Sequence, residues 1–138
     1  GTVRAFDNGM RDDIQKRMRT TAESIAQASG AKAEIHFQKP GYAATVNDER
    51  LTARMVPTLA QVTHGNAVVS PKLSASEDFS EYQKKVPGMF FFVGATDPKK
   101  DTATAAPNHS PAFIVDEAAL AVGARAMTAL ALDYLNGD

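Results

Sequence analysis

The chain has 138 residues, a length that suits one compact domain or two small units. Its formal net charge is −1 and no basic stripe is present, so nucleic acid is not an expected partner. No uninterrupted apolar run is longer than that at residues 89–93, which is too short to cross a bilayer, so no membrane partner is expected either. The absence of cysteine excludes disulfides and thiolate metal ligands from these residues.

The first forty residues predict a strand, a helix and a second strand. Residues 1–6 read as the end of a strand, Asp7 is a good helix N-cap, and Gly30 stands where a helix C-cap belongs. Between them, apolar residues recur at helical spacing: Met10, Ile14, Met18, Ala22 and Ile25. Residues 31–38 then alternate between apolar and polar, which predicts a strand with one buried face.

A linker and a second helix follow. Residues 41–47 are predicted to be the linker, and Asn47 or Asp48 to cap the helix. Pro57 is expected either to kink this helix or to mark its true beginning, and Gly65 to end it. The side chains predicted to lie on the inner side of the helix are Leu51, Met55, Leu59 and Val62.

The remaining residues alternate between strand and helix, which predicts a parallel sheet. The predicted elements are a strand at 67–70, a helix at 77–85, a buried strand at 89–93 and a long loop at 94–111. Asp116 is expected to cap a final helix. The predicted buried stripe of that helix consists of Leu120, Ala124, Met127, Ala131 and Tyr134.

The loops after the two strands of this region carry the candidate site. Parallel strands joined by a right-handed crossover open their following loops at the same sheet edge, where such folds bind ligands. The first loop carries Glu77 and Asp78, and the second carries Asn108 and His109. Pro107 and Pro111 stiffen the second loop, so an imidazole there would be held at low entropic cost.

Each candidate has a plainer alternative. His109 is either a metal ligand or acid–base group or an ordinary surface histidine, and composition alone favours the surface histidine. Glu77 either contributes to a substrate site or merely favours a helix start. Arg4 either holds a carboxylate or is a surface arginine. His36 is interpreted as solvated and His64 as a helix-terminus residue.

The motifs, taken in order, resemble one family. They are Gly1-Thr2-Val3-Arg4 with Phe6-Asp7; Gly41-Tyr42 with Thr45-Val46-Asn47-Asp48; Ser76-Glu77-Asp78-Phe79; Val86-Pro87-Gly88; Asn108-His109-Ser110-Pro111; and Val115-Asp116-Glu117. Together they resemble the amidohydrolase branch of the metallo-carboxypeptidase and aminoacylase superfamily, which includes hippurate hydrolases and auxin-conjugate hydrolases. One position departs from the pattern, because Ser74 stands where that family usually has methionine.

The resemblance implies an α/β fold in two parts. Residues 1–40 correspond to half of an α+β, ferredoxin-like lid that serves in dimerisation, and residues 41–47 to a linker. Residues 48–138 correspond to the C-terminal part of a metallopeptidase-like catalytic domain, with helices around a mainly parallel sheet. The chain is therefore expected to belong to a longer enzyme whose N-terminal part is its partner, in a homodimer.

The same resemblance implies a reaction and a set of site residues. The parent enzyme is expected to hydrolyse the amide bond of N-acyl amino acids, of the hippurate type, or of small peptides, with two divalent metal ions (zinc, manganese, cobalt or nickel). His109 is the implied metal ligand, and the implied substrate-binding residues are Arg4, Glu77 and Asn108. No catalytic residue is expected in this chain, because the general-base glutamate lies upstream in the family. The isolated chain should therefore be inactive. The alternative is a non-catalytic lid or docking module that works only with a complementary N-terminal part.

Overall fold

The computed structural model describes residues 1–38, 41–75 and 77–137. In these ranges it contains four helices: α1 (Asn8–Ala28), α2 (Glu49–Val62), α3 (Phe79–Gln83) and α4 (Ala118–Asn136). The chain divides into two compact units. The first comprises Gly1–Asn47 and Ser70–Gly88, and the second comprises Asp48–Val69 and Met89–Asp138. The predicted domain boundaries remain a prediction.

In the first unit, α1 begins and ends where the sequence predicts. The Asp7 carboxylate accepts a hydrogen bond from the Met10 amide at 2.7 Å, which satisfies one of the free N–H groups of the first turn. At the other end Gly30 adopts a φ of 69°, the left-handed conformation that ends many helices. These two predictions are confirmed. The helix has no buried residue, and 65% of Ile25 is exposed.

Helix α3 is shorter than the predicted helix at 77–85. Within its five residues Ser80, 1% exposed, donates from its hydroxyl to the carbonyl oxygen of Glu77, which precedes the helix, at 2.8 Å. This bond buries the serine without leaving its hydroxyl unpaired. Lys84 forms an exposed ion pair with Glu81 at 2.6 Å, just past the helix end.

None of the predicted strands is paired in the described ranges. Residues 1–6, 31–38, 67–70 and 89–93 carry no regular secondary structure there, apart from a bend at Phe6. A strand is defined by hydrogen bonds to a neighbouring strand, so an extended segment without a neighbour has none. Val69, for example, is 98% exposed. The mainly parallel sheet therefore remains a prediction.

In the second unit, α2 starts at the predicted cap. The Asp48 carboxylate accepts from the Leu51 amide at 2.7 Å. The helix begins at Glu49, so the idea that Pro57 marks its true beginning is wrong: the proline lies inside the helix. Of the predicted inner side chains, Met55 is 3% exposed, and the chain turns at Gly65, whose φ is 84°.

Helix α4 packs against α2 through a different side from the one predicted. Ala126 is 2% exposed, whereas three members of the predicted stripe, Leu120, Met127 and Tyr134, are 64%, 62% and 53% exposed. The prediction of a buried stripe is therefore wrong for this chain. The side that packs carries small residues, since Ala119, Gly123 and Ala129 lie at helical spacing from Ala126, and such a side suits the packing of one helix on another. The cap is also displaced by one residue, to Glu117, although the Asp116 carboxylate accepts from the Ala118 amide at 3.0 Å.

Arg54 of α2 joins the two helices at the C-terminal end of α4. Its Nη2 atom donates to the carbonyl oxygens of Asp133, Tyr134 and Gly137 at 3.2, 3.1 and 2.8 Å. Its guanidinium also lies 5.1 Å from the centroid of the Tyr134 ring. Thr58 donates from its hydroxyl to the Asp133 carboxylate. A cation is favourable at this end because carbonyl groups without helical partners point outward there.

By length and composition alone, α4 is the single helix in the described residues that could cross a membrane. It carries Arg125 and Asp133, and it packs against α2. These features also suit a helix inside a globular domain, where Asp133 is hydrogen-bonded by Thr58. The absence of a membrane partner remains a prediction.

Candidate functional site

His109 lies in a tight turn of the second unit. The Ser110 amide donates to the Pro107 carbonyl oxygen at 3.2 Å, which closes the four-residue turn around Asn108 and His109. His109 has a φ of 67°, a left-handed conformation that few residues other than glycine adopt. Positive φ at the third position of a turn is what a type II turn requires. The imidazole is exposed, so its ring nitrogens are open to a ligand.

The loop that carries this turn is closed at its base. The Asp116 amide donates to the Ala95 carbonyl oxygen at 2.8 Å, so the two ends of the loop are held together. Within it, the carboxylates of Asp97 and Asp101 accept from the amides of Lys99 and Ala103, both at 2.9 Å. The loop is therefore a series of hydrogen-bonded turns and not a loose connection. It presents Asn108 and His109 on an exposed turn.

Glu77 lies in the first unit, immediately before α3. Its backbone carbonyl accepts from the Ser80 hydroxyl at 2.8 Å and from the Ser80 amide at 3.2 Å. The residue is half-buried, whereas the neighbouring Asp78 is exposed. Because the turn fixes the backbone at Glu77, the direction in which its side chain leaves the backbone is also constrained.

Arg4 also lies in the first unit and is exposed. Its Nη1 atom donates to the Ser74 carbonyl oxygen at 3.2 Å. One guanidinium nitrogen is thus used locally. A guanidinium has five N–H donors, so the group retains donors for a carboxylate.

The four predicted site residues divide between the units. Asn108 and His109 are neighbours in one turn of the second unit, and Arg4 and Glu77 belong to the first. No cluster of three or more His, Cys, Asp or Glu side chains that could hold a metal occurs in residues 1–38, 41–75 and 77–137. A neutral imidazole is a good ligand for zinc and similar divalent ions, but a catalytic zinc takes three protein ligands. The described residues therefore form no complete metal site, and His109 is the metal ligand that the sequence predicts.

The other two histidines differ from His109 in their surroundings. His36 is 86% exposed and lies 3.5 Å from a Glu34 carboxylate oxygen, which confirms that it is solvated. His64 has a φ of 52° at the end of α2, where its amide donates to the Gln61 carbonyl oxygen at 3.3 Å. This agrees with a helix-terminus residue.

The second unit also has an open surface depression that the sequence patterns did not predict. It has a volume of about 520 Å³ and lies between the end of α2 and the middle of α4. Val62, Ala129 and Leu132 line it, together with His64 and Arg125. None of the four predicted site residues lines it.

Comparison with known proteins points to one family. The sequence profile described as "Peptidase family M20/M25/M40" matches residues 4–133. The chain is 35% identical to thermostable carboxypeptidase 2 of Saccharolobus solfataricus over 136 residues, which are 99% of this chain and 34% of that protein. It is 32% identical to N-acetylcysteine deacetylase of Bacillus subtilis over 135 residues, 98% of this chain and 33% of that protein.

A plant protein is also similar to this chain. IAA-amino acid hydrolase ILR1-like 6 of Arabidopsis thaliana is 29% identical over 140 residues, 99% of this chain and 30% of that protein. The chain thus spans about a third of the length of the curated relatives it matches. No solved structure gives a significant match.

Proposed function

Because the chain belongs to peptidase family M20/M25/M40, we propose that it is part of a longer metal-dependent hydrolase that cleaves amide bonds. The longer protein that contains this chain is called the complete protein below. The observation that carries the proposal is the profile match over residues 4–133, almost the whole chain. Relatives named as a carboxypeptidase, a deacetylase and an amino acid hydrolase share that match region, and all three names describe hydrolysis of an amide bond.

We further propose N-acyl amino acids as the substrate class, of the hippurate type, with small peptides as the other members. Both kinds of substrate combine an amide bond with a free carboxylate. Arg4 suits the carboxylate, since a guanidinium can hold it with two parallel hydrogen bonds. The names of the relatives from Bacillus subtilis and Arabidopsis thaliana, an N-acetylcysteine deacetylase and an amino acid hydrolase, agree with this class.

His109 is the proposed metal ligand of this chain. Its turn is closed by a 3.2 Å hydrogen bond and stands between Pro107 and Pro111, and its ring is exposed. Restricting the turn before the metal arrives lowers the entropic cost of coordination. When bound, a divalent ion of this kind polarises the amide carbonyl and makes a water molecule acidic enough to attack it near neutral pH.

The remaining roles follow from position. Asn108 adjoins His109 in the same turn and has both a donor and an acceptor for a substrate amide. Glu77 is half-buried beside a turn that holds its backbone, which suits a residue that orients substrate or a metal ligand. The general base is proposed to lie outside this chain, together with the other ligands of two divalent ions. The candidate ions are zinc, manganese, cobalt and nickel.

The test compares the complete protein with the 138-residue chain. Each would be stripped of metal and assayed on benzoyl-glycine, N-acetylcysteine and a dipeptide, before and after addition of zinc, manganese, cobalt or nickel. The expected result is metal-dependent hydrolysis by the complete protein and none by the chain alone. Turnover by the pure chain would contradict the proposal that part of the active site lies outside it. A complete protein that hydrolyses no amide with any metal would contradict the proposed activity.

A further inference from the structure

Ser110, the residue that follows His109, holds the loop through three polar groups. Its amide donates to the Pro107 carbonyl oxygen at 3.2 Å. Its hydroxyl oxygen accepts from the Ala112 amide at 3.2 Å, and its carbonyl oxygen accepts from the Phe113 amide at 3.0 Å. Ser110 therefore ends the turn that carries His109, residues 107–110, and begins a second turn, residues 110–113.

The second turn has a sequence that suits it. Pro111 is its second residue, where the ring fixes φ at about −65°, the value that common turns require there. A serine hydroxyl that accepts from the amide two residues ahead, as Ser110 does from Ala112, also favours a turn. The two turns share Ser110, so the order of the second turn restrains the end of the first.

The backbone of His109 is in a conformation that its turn must maintain. Its φ of 67° is left-handed, and a histidine rarely adopts such a value without support from its surroundings. The peptide group between His109 and Ser110 contains the Ser110 amide, which is hydrogen-bonded to the Pro107 carbonyl oxygen. This bond restrains the backbone of His109 and therefore the direction in which the imidazole leaves the turn.

Burial distinguishes Ser110 from its neighbours. Asn108, His109 and Pro111 are exposed, whereas Ser110 is half-buried. Water competes less well for a hydrogen bond that is partly shielded, so the bond between the Ser110 hydroxyl and the Ala112 amide is not readily replaced by solvent. Ser110 is thus the anchor of the two turns, and His109 is the residue that they present.

We infer that Ser110 is a positioning residue for the metal ligand His109: its hydroxyl links the two turns and so holds the imidazole in place before the ion binds. The inference rests on the proposed function, which gives His109 the ligand role. Ser110 acts on affinity, because a ligand that is already held in place loses less conformational entropy when it coordinates. Loss of a residue that orients a metal ligand typically weakens metal binding about 10–100-fold.

The experiment removes the hydroxyl and measures zinc affinity in the complete protein. Metal-free wild type and Ser110→Ala would be titrated with zinc in competition with a chromophoric chelator. The hydroxyl makes one hydrogen bond to a backbone amide, so Ser110→Ala should weaken one zinc site about three- to tenfold. Ser110→Thr keeps the hydroxyl and should stay within about twofold of wild type. Wild-type affinity in a folded Ser110→Ala protein, or a Ser110→Thr protein as weak as Ser110→Ala, would overturn the inference.

Thr104 provides a matched control in the same loop. Its hydroxyl donates to the Asp101 carbonyl oxygen at 3.1 Å, so Thr104→Ala also removes a hydrogen bond between a side chain and the backbone. Thr104 lies outside the two turns, and its loss should change zinc affinity by less than about twofold. Equal weakening by Thr104→Ala and Ser110→Ala would mean that any loosening of the loop has this effect, which would overturn the inference.

The spectrum of bound cobalt separates positioning from stability. Cobalt is one of the proposed ions, and its visible absorption depends on the geometry of its ligands. In the cobalt-loaded complete protein, Ser110→Ala should change the wild-type bands, whereas Ser110→Thr and Thr104→Ala should reproduce them. Thermal unfolding would be followed in parallel. A Ser110→Ala protein with a lower melting temperature but unchanged spectrum and zinc affinity would have lost stability only, and the positioning role would be wrong.

Pro111→Ala decides the question if Ser110→Ala does not fold. This variant keeps the hydroxyl but frees φ at the second residue of the second turn, so zinc affinity should fall about two- to threefold. Unchanged affinity would then overturn the inference.

His109→Ala separates failure of this inference from failure of the proposed function. Loss of one zinc site in His109→Ala, with wild-type binding in Ser110→Ala, would overturn the positioning role alone. Full zinc content in a folded His109→Ala protein would contradict the ligand assignment and the positioning role with it. Each of these measurements is made without substrate, so none depends on amide hydrolysis.

Discussion

The contacts inside the first unit differ in kind from the contacts inside the second unit. The second unit contains a packed helix pair, in which Met55 of α2 and Ala126 of α4 are 3% and 2% exposed. The first unit contains the longest helix, α1, but no residue of that helix is buried. Arg11 of α1 donates to the Tyr42 carbonyl oxygen at 3.1 Å.

This difference bears on which unit is stable by itself. Burying a methionine side chain contributes about 1.5–3 kcal/mol, whereas a hydrogen bond in contact with water contributes about 1 kcal/mol or less. The contact between Arg19 and the Phe37 ring, 5.6 Å from the centroid, belongs to the same weak class at an exposed site. We therefore expect the helix pair of the second unit to persist under conditions in which α1 frays.

The largest effect is expected at the core of the helix pair. Met55→Ala should lower the free energy of unfolding of the second unit by about 2–4 kcal/mol, since it removes buried methylene groups and leaves a cavity. Val56→Ala is the matched control: it is the next residue of α2 and is 46% exposed, so its effect should be below about 0.5 kcal/mol. Urea unfolding of the 138-residue chain measures both. Equal losses would mean that Met55 is not the core of this unit.

A smaller effect, on turnover and not on stability, is expected in the first unit. Arg4→Ala in the complete protein should lower kcat/KM about tenfold for substrates with a free carboxylate, through loss of a charge-assisted contact. Arg4→Lys should restore only part of kcat/KM, because an ammonium lacks the planar pair of N–H donors that a guanidinium presents to a carboxylate. The comparison substrate is benzoyl-glycinamide, which has no carboxylate. If both substrates lose activity equally, the hydrogen bond from Arg4 to Ser74 is structural and the substrate role is wrong.

The smallest effect is expected from removal of a helix N-cap, and each unit has one aspartate in that role. Asp7 and Asp48 each accept from a backbone amide three residues ahead, at 2.7 Å in both cases. Each Asp→Ala substitution should cost about 1 kcal/mol locally. Amide hydrogen exchange should show loss of protection confined to the first turns of α1 for Asp7→Ala. For Asp48→Ala the loss should extend to α4, which packs on α2. If Asp7→Ala lost amide protection throughout the first unit, that result would contradict the contrast between the units.

These caps also show which parts of the fold could be predicted from sequence. Asp7 and Asp48 act on amides three residues away, so the helix starts depend on local chemistry that a pattern reveals. The side of α4 that becomes buried depends on its neighbour, and the pattern alone favoured the stripe at Met127 over the side at Ala126. Strand pairing has the same limit, because segment 31–38 needs a second strand that no local pattern identifies.

The candidate site likewise has features that the sequence predicts and features that it does not. The sequence predicted that Pro107 and Pro111 stiffen this loop, and the structure has a hydrogen-bonded turn at Asn108 and His109. The positive φ of His109 could not be read from its residue type, because histidine adopts it only in some turns. Whether Glu77 acts together with His109 depends on contacts between distant parts of a chain, which spacing alone does not determine.

The central claim is that His109 is a metal ligand of the complete protein, and metal content tests it most directly. His64→Ala is a close control, because His64 is also exposed and also has a positive φ, 52° against 67° for His109. Metal per chain would be measured by elemental analysis for the wild type and both variants, with circular dichroism to show that each is folded. We expect His109→Ala to lose metal from one site and to turn over at least about 100-fold more slowly, while His64→Ala keeps both metals and its activity. A folded His109→Ala protein with full metal content and near-normal turnover would contradict the claim.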